Sequence, residues 1–363
     1  MWKETRVTRR LGLGVPIVQG PFGSGLSAVD LVVAVCESGG LGSFGVHHLD
    51  AADIRQVAAS IRERTSRSFA LNLWIPFQDD ADPTLTDEQY SRALAPLRPY
   101  FAELKIAPPE RPARFSPRYE EQVEALLEAR PAAFSFVYGI PSADIFERCR
   151  SLDIVTIGAA TTPDEAVALE NAGVQMIVAT GFEAGGHRVS FLRPAEQSLT
   201  GTLSLVPQVV DAVRVPVIAA GGIADGRGIA AALCLGAQAA QIGTAFLACD
   251  ESSASPQHRE KLRSRDSRYT ALTRAFTGRL ARGIDNPFMR NMLVHEPSIL
   301  PYPAQAWLTA QLKSAALAND RADLLALWSG QSAPLLRHRK ARDLMQSLIA
   351  QTETVLGSDA LPM

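Results

Sequence analysis

His187 follows two glycines, Gly185 and Gly186, shortly after the apolar run VQMIVA. Glycine has no Cβ and adopts backbone angles that other residues avoid, so such a loop can lie against a flat ligand. Histidine exchanges protons near neutral pH. The spacing therefore predicts that His187 is a catalytic residue at a ligand, the alternative being a surface histidine bonded to a backbone carbonyl. Glu183, in the same loop, either orients it or faces solvent.

Two later loops predict a binding site for a phosphate group. Gly221 and Gly222 end an apolar run, and Asp225 can cap the helix that follows, whose N-terminus carries partial positive charge. The second loop consists of Gln241, Ile242, Gly243 and Thr244. Glycines let backbone amides approach an anion closely. Either loop alone is equally consistent with a tight turn, but the two together favour a phosphorylated substrate or cofactor.

Two other kinds of barrel chemistry are disfavoured by the residues present. The five lysines are Lys3, Lys105, Lys261, Lys313 and Lys340. None ends a predicted strand, where a lysine forming a Schiff base would meet its substrate. No histidine pair has the spacing of metal ligands on a helix, and the adjacent His47 and His48 are expected to line or cap a loop. We therefore expect no metal site and no lysine-dependent aldolase.

Eight apolar runs must position these loops. They span residues 16–22, 40–46, 69–75, 132–139, 154–160, 174–181, 216–222 and 239–247. The runs do not alternate with polar residues, which is typical of parallel strands buried on both faces, and seven are followed by a helical pattern. The pattern predicts an α/β protein with a (β/α)8 TIM barrel, and a doubly wound open sheet is the alternative.

The expected organisation is a barrel over residues 1–250 and a helical C-terminal extension over 251–363 that contributes to the site. A proline-rich and charged excursion, residues 77–115, follows the third strand.

Composition is that of an ordinary globular protein, with 47% apolar and 20% charged residues in 363. A net charge of −2 gives no reason to expect nucleic acid or a membrane as partner. No apolar run approaches the ~20 residues of a membrane helix, and the basic N-terminus is not read as a signal peptide. The four cysteines lack metal or disulfide spacing, so free thiols and a cytoplasmic location are expected.

Six segments in order resemble the nitronate monooxygenases, formerly called 2-nitropropane dioxygenases. They are PIVQGPF, ALNLW, GFEAGGHR, IAAGGIADGRG, QIGTAF and LWSGQ, and together they run from about residue 10 to about residue 340. Single pieces such as AAGGI are shared with many flavin barrels, but the ordered set is specific. The later TGRLARGIDN and WSGQ segments resemble the class I branch.

The resemblance implies FMN as cofactor, alkyl nitronates and O2 as substrates, and His187 as the residue that hydrogen-bonds the nitronate. In members that accept neutral nitroalkanes, this histidine removes the α-proton. The implied cofactor contacts are Gln19, Gly20, Pro21, Phe22, Asn72, Thr180, Gly185, Gly186, Gly221, Gly222, Gln241, Ile242, Gly243, Thr244, Ser329, Gly330 and Gln331. Many members have glutamine at the position of Thr180 and methionine at that of Phe22, so the preferred substrate is left open.

Two other activities remain as alternatives. FMN-dependent enoyl-thioester reductases, which use NAD(P)H, also carry a Gly-Gly-His loop, but the WSGQ segment favours the monooxygenase. A flavin-free barrel acting on a sugar phosphate would explain the two glycine loops and would leave Asn72 and the WSGQ segment without a role.

Overall fold

The computed structural model describes residues 2–77 and 85–357, and it contains an eight-stranded parallel sheet. The strands are β1 (Ile17–Gln19), β2 (Gly42–Gly45), β3 (Phe69–Trp74), β4 (Ala133–Val137), β5 (Val155–Ala160), β6 (Met176–Thr180), β8 (Val217–Ala220) and β9 (Ala239–Ile242), with the short β7 (Gly186–His187) outside this sheet. Their order is β1-β9-β8-β6-β5-β4-β3-β2, and a parallel bridge between Val18 and Leu41 joins the two edges. The sheet therefore closes into the predicted (β/α)8 barrel, not into an open sheet.

Helices surround the barrel and form much of the C-terminal region. They are α1 (Arg6–Leu11), α2 (Val29–Glu37), α3 (Ala51–Arg62), α4 (Asp87–Leu94), α5 (Arg98–Glu103), α6 (Tyr119–Ala129), α7 (Ala143–Ser151), α8 (Pro163–Asn171), α9 (Thr202–Ala212), α10 (Gly226–Cys234), α11 (Thr244–Leu247), α12 (Pro256–Arg263), α13 (Pro287–Leu293), α14 (Ala304–Ala318) and α15 (Ala341–Gly357). Several begin with a side-chain cap, such as Thr162, whose hydroxyl accepts from the Glu165 amide at the start of α8.

The interior of the barrel is a core of its own, closed at one end by α1. Val7 and Leu11 of this helix pack into the same apolar cluster as the inward-facing Val18, Val155 and Val178. The helix lies at the N-terminal ends of the strands, and this leaves the opposite end of the barrel as the place where a ligand can enter.

The region after the barrel contains strands as well as helices, whereas the sequence predicts a helical extension only. β10 (Thr270–Thr273) and β11 (Ala281–Ile284) form a three-stranded antiparallel sheet with β7, in the order β10-β11-β7. Both strands are only four residues long, so neither produces an extended apolar run. Their pairing joins the C-terminal region to the loop that carries His187.

The predicted excursion after β3 contains α4 and α5. Its residues 78–84 lie outside the described part of the chain.

Candidate active site

A cavity of about 190 Å³ opens at the carboxyl ends of the barrel strands and is bounded on one side by the C-terminal region. Fourteen of the predicted site residues line it: Gly20, Pro21, Phe22, Asn72, Thr180, Gly185, Gly186, His187, Gly221, Gly222, Gln241, Gly243, Thr244 and Gly330. The remaining four, Gln19, Ile242, Ser329 and Gln331, do not line it. The structure thus gathers residues that are up to 310 positions apart, from Gly20 to Gly330, around one space.

Gln19 lies behind the cavity wall. Its side chain is fully buried, its Oε1 accepts a hydrogen bond of 3.0 Å from the Ser43 amide, and its Nε2 donates to the Gly20 carbonyl. The amide group therefore ties β1 to β2 and orients the Gly20 backbone. Ile242 is likewise buried, as part of the apolar core.

Gly221 and Gly222 have left-handed backbone angles, with φ of 106° and 70°. Their amides, and those of Gly243 and Thr244, donate to no group among the described residues. A Cβ on Gly221 would lie 2.8 Å from the Thr202 hydroxyl oxygen, so the turn requires glycine for space as well as for conformation. These features fit a phosphate group, which accepts hydrogen bonds from backbone amides.

The first amides of α10 are already occupied. The Asp225 carboxylate accepts from the amides of Arg227 and Gly228 at 3.1 and 3.2 Å, and the Gln351 side chain accepts from the Gly226 amide at 3.1 Å. The capping role predicted for Asp225 is therefore confirmed. Because these side chains already accept from the first amides of α10, the amides of the loops after β8 and β9 are the donors that remain for an anion.

The segment 329–331 of the C-terminal region reaches both the His187 loop and the loop after β9. The Gly330 amide donates to the Thr244 hydroxyl at 2.9 Å, and the Gln331 amide donates to the Glu183 carbonyl at 3.0 Å. Ser329 is buried and its hydroxyl donates to the Gly330 carbonyl. Ser329, through its hydroxyl, and Gln331, through its backbone amide, therefore hold Gly330 at the cavity.

Glu183 orients the loop and does not simply face solvent. Its carboxylate accepts from the Thr202 amide, at 2.8 and 3.0 Å to the two oxygens, and from the Thr202 hydroxyl at 2.9 Å. Gly201, the residue that precedes α9, has no side chain to cap the helix. Glu183 therefore takes over as the cap of α9 from a loop 18 residues earlier in the chain than Gly201.

We expect Glu183→Ala to lower the free energy of unfolding by about 1–2 kcal/mol, because the Thr202 amide, the first of α9, loses its acceptor. Urea unfolding followed by circular dichroism measures this. Glu196→Ala, in the same connection, is the matched control: Glu196 only pairs with Arg274 at the surface, and we expect its loss to cost less than ~1 kcal/mol. Equal losses in the two variants would contradict the capping role.

Two buried arginines hold the His187 loop from behind. The Arg188 guanidinium donates to the carbonyls of Gly181 and Ser198, both at 2.7 Å, and burial lowers its pKa to about 10, which leaves it charged at neutral pH. Arg282 donates to the Phe182 carbonyl at 3.1 Å and lies over the Phe182 ring. The loop is thus fixed by charged donors on buried backbone acceptors.

His187 lies at the cavity, with its ring beside two indoles. Its Nε2 is 2.9 Å from the Thr277 hydroxyl oxygen, so its partner is a side chain and not a backbone carbonyl. The ring centroid is 4.8 Å from that of Trp74 and 5.3 Å from that of Trp328. Burial and, to a smaller extent, the nearby positive charge of Arg279 together lower the pKa of His187 to about 3. The imidazole of the free protein is therefore neutral at physiological pH.

Asn72, Phe22 and Thr180 form other parts of the wall. The Asn72 side-chain amide donates to the Ser135 hydroxyl at 3.0 Å, and both residues line the cavity. Phe22 is almost fully buried and packs beside the loop after β9, where a Cβ on Gly243 would lie 3.9 Å from its ring. Polar and apolar groups therefore both contribute to the cavity wall.

Sequence reasoning from single residues missed several groups next to His187, namely Trp74, Thr277, Arg279 and Trp328. Trp74 is the last residue of β3, and its place at a strand end is a signal that could have identified it. The guanidinium of Arg279 lies 3.9 Å from the ring centre of Tyr138 and 5.7 Å from that of Trp74. The other three residues belong to the C-terminal region. None of them follows a barrel strand, so their position in the sequence does not predict a place at the site: Thr277, Arg279 and Trp328.

His47 and His48 lie behind this wall. The His47 ring stacks on Trp74 with centroids 3.9 Å apart and an angle of 10° between the planes, and burial lowers its pKa well below the usual value. Neither histidine lines the cavity. His47 therefore supports Trp74 by stacking on its ring.

Among the described residues, no group of three histidine, cysteine, aspartate or glutamate side chains is placed to bind a metal ion. The four cysteines are free, and Cys36, Cys149 and Cys249 are buried. Burial raises the pKa of these three thiols to about 11 or 12, so they are unreactive at neutral pH.

Within the described ranges, no helix has both the length and the apolar character needed to cross a membrane.

Fold and cavity define a (β/α)8-barrel enzyme whose functional residues lie at the carboxyl ends of the strands. A family model described as "Nitronate monooxygenase" matches residues 5–351. A "Probable nitronate monooxygenase" of Staphylococcus aureus (strain Newman) is 38% identical over 357 residues, which cover 98% of this chain and 99% of that protein. The chain therefore belongs to the nitronate monooxygenase family and is an oxidoreductase.

Solved structures agree with this assignment. Nitroalkane oxidase from Streptomyces ansochromogenes superposes with a TM-score of 0.88 at 36% identity, covering 97% of this chain and 99% of the other. FabK from Thermotoga maritima gives a TM-score of 0.74 at 26% identity, covering 98% and 97% of the two chains. The fold is thus shared across both comparisons, with the higher similarity to the nitroalkane oxidase.

Proposed function

We propose that the chain oxidises alkyl nitronates with O2 to a carbonyl compound and nitrite, using FMN, with His187 at the reacting group. The observation that carries the proposal is that one cavity is lined by His187 and by Gly221, Gly222 and Thr244, whose amides donate to no group among the described residues. Family membership and the similarity to a nitroalkane oxidase support the same reaction. A small anionic metabolite such as propionate 3-nitronate is the substrate we would test first.

The residues present fit FMN. Its phosphate group would be held by the amides of the loops after β8 and β9, and Thr244 is itself fixed by Gly330. Bound FMN supplies the electron-accepting ring of the reaction. A Cβ on Gly186 would meet nothing within 4 Å, so this glycine leaves space for a flat ring system, and Asn72 places a polar side chain at the same cavity.

The protein's own contribution is orientation and proton handling. The His187 ring contacts the rings of Trp74 and Trp328, with centroids 4.8 and 5.3 Å away. A neutral imidazole can accept a proton from the carbon next to the nitro group of a substrate. Arg279 adds a positive charge near this ring, which favours anionic ligands in the cavity.

We expect the purified protein to show flavin absorbance, to release FMN on denaturation, and to consume O2 when propionate 3-nitronate is added. We expect no rapid oxidation of NADH or NADPH in the presence of an enoyl thioester. The reverse result, with NADH consumed and the nitronate untouched, would assign the chain to the reductases. A colourless protein that takes up no added FMN would favour the flavin-free sugar-phosphate enzyme.

A further inference from the structure

We propose that Thr277 is a positioning residue that fixes the tautomer of His187, with the proton on Nε2 and the lone pair of Nδ1 directed to the cavity. The tautomer follows from the hydrogen bonds of the protein alone. Its consequence for turnover rests on the proposed function.

The Thr277 hydroxyl has three close polar neighbours. Its oxygen is 2.9 Å from His187 Nε2, 3.3 Å from the Arg279 amide nitrogen and 3.2 Å from the Arg279 carbonyl oxygen. A hydroxyl group has one proton to donate and two lone pairs to accept. The three contacts can all be hydrogen bonds in one arrangement only.

In that arrangement, Thr277 donates its proton to the Arg279 carbonyl, which can only accept. The Arg279 amide and His187 Nε2 then both donate to the Thr277 oxygen. If the hydroxyl proton pointed to Nε2 instead, lone pairs of the Thr277 and Arg279 oxygens would face each other at 3.2 Å. The geometry therefore assigns the ring proton of His187 to Nε2.

The other ring nitrogen faces the ligand space. Within the described ranges, Nδ1 of His187 has no hydrogen-bond partner. It is also absent from the fully buried polar atoms that lack a partner, so this nitrogen is accessible from the cavity. His187 lines the cavity, so Nδ1 is the nitrogen that reaches it. The neutral ring thus presents a lone pair, which accepts a proton and cannot donate one.

The backbone on both sides of the His187–Thr277 hydrogen bond is fixed by β-sheet pairing, which keeps the imidazole next to the Thr277 hydroxyl. His187 lies opposite Ala281 in the β7–β11 pairing, and the Arg188 amide donates to the Leu280 carbonyl at 2.9 Å. Thr277 lies in the turn that connects β10 to β11. The same small sheet therefore carries both members of the hydrogen bond.

This arrangement explains why the site needs the C-terminal region. The barrel loop supplies the imidazole, and the turn before β11 decides which nitrogen of that ring carries the proton. In substrates with a C–H bond next to the nitro group, the Nδ1 lone pair can take the proton while the electron pair stays in the nitronate.

The test compares Thr277→Val, which keeps the shape and removes the hydroxyl, with Thr277→Ser, which keeps the hydroxyl. Holoprotein labelled with ¹⁵N-histidine reports the tautomer directly, and the His187→Asn spectrum identifies the His187 signals. We expect the Nε2-protonated tautomer in the wild type and in Thr277→Ser, and a mixture of tautomers in Thr277→Val. An Nδ1-protonated wild type, or an unchanged Thr277→Val spectrum, would overturn the proposal.

Kinetics provide the second readout. We expect Thr277→Val to lower kcat for a neutral nitroalkane on the order of tenfold or more at unchanged FMN content, with recovery in Thr277→Ser, because only such a substrate gives a proton to Nδ1. Equal kcat values in all three proteins would contradict a role in turnover. If Thr277→Val does not fold, the wild-type and serine spectra still decide the tautomer. A wild type that shows the Nε2-protonated ring but no nitronate turnover would refute the proposed function and leave the tautomer assignment standing.

Discussion

His187→Asn is expected to retain bound FMN and to lose activity by about 10²- to 10⁴-fold in kcat. Asparagine is close to histidine in size and still polar, so the loop should keep its course. It cannot accept a proton, and its amide cannot reproduce a ring held between Trp74 and Trp328. Oxygen uptake with a neutral nitroalkane, which must lose its α-proton, measures the activity, and propionate 3-nitronate is run in parallel. The flavin absorbance of the purified variant measures cofactor content.

His48→Asn is the matched control for this experiment. The change in side chain is the same, but His48 does not line the cavity. We expect turnover within about twofold of the wild type, since surface and half-buried substitutions away from a site have small effects. Full activity in the His187 variant, with the control unchanged, would remove His187 from the reaction.

Gly185→Ala is expected to abolish FMN binding and most activity, because the added methyl group has no room. A Cβ at this position would lie 2.4 Å from the Gly330 amide nitrogen and 2.5 Å from the Ser329 carbonyl carbon. These are backbone atoms, which cannot turn aside as a flexible side chain does. The segment 329–331 would have to move away from the His187 loop, and this would break the bond from Gly330 to Thr244. We expect a loss of stability of about 1–3 kcal/mol in addition.

Gly14→Ala separates this steric effect from a general effect of replacing glycine. A Cβ on Gly14 would meet only ordinary contacts, the nearest at 3.6 Å from Gly39 Cα, and Gly14 does not line the cavity. Titration with FMN, followed by fluorescence quenching, gives the affinity of each variant. Normal FMN affinity in Gly185→Ala would show that the contact with the segment 329–331 is not needed at the site.

The barrel could be predicted because its signals are local. Each strand is buried on both faces and so reads as a continuous apolar run, and all eight runs contain the strand observed there. Two consecutive glycines, Gly221 and Gly222, predict backbone angles that other residues avoid, because glycine has no Cβ, and both have positive φ. Asp225 reads as a cap because its partners lie two and three residues ahead.

Interactions between distant residues could not be read in this way. From the sequence alone, Glu183 is equally consistent with orienting its loop and with facing solvent. The tertiary structure decides between these roles by placing Thr202, the first residue of α9, beside it. Gln19 was expected at the cofactor and instead ties β1 to β2, since its direction depends on the neighbouring strand. The strands β10 and β11 are too short to stand out from the helical segments around them.

By itself, the sequence determined which segments become the eight barrel strands, where the chain turns at glycines, and that His187 is the residue most suited to proton exchange. Only the tertiary structure decided what surrounds that histidine. Thr277 lies 90 residues further along the chain and Trp328 further still, and they meet His187 because the closed barrel and the three-stranded sheet bring them there. Strand and turn propensities act over a few residues, whereas the environment of a side chain depends on which distant segments pack against it.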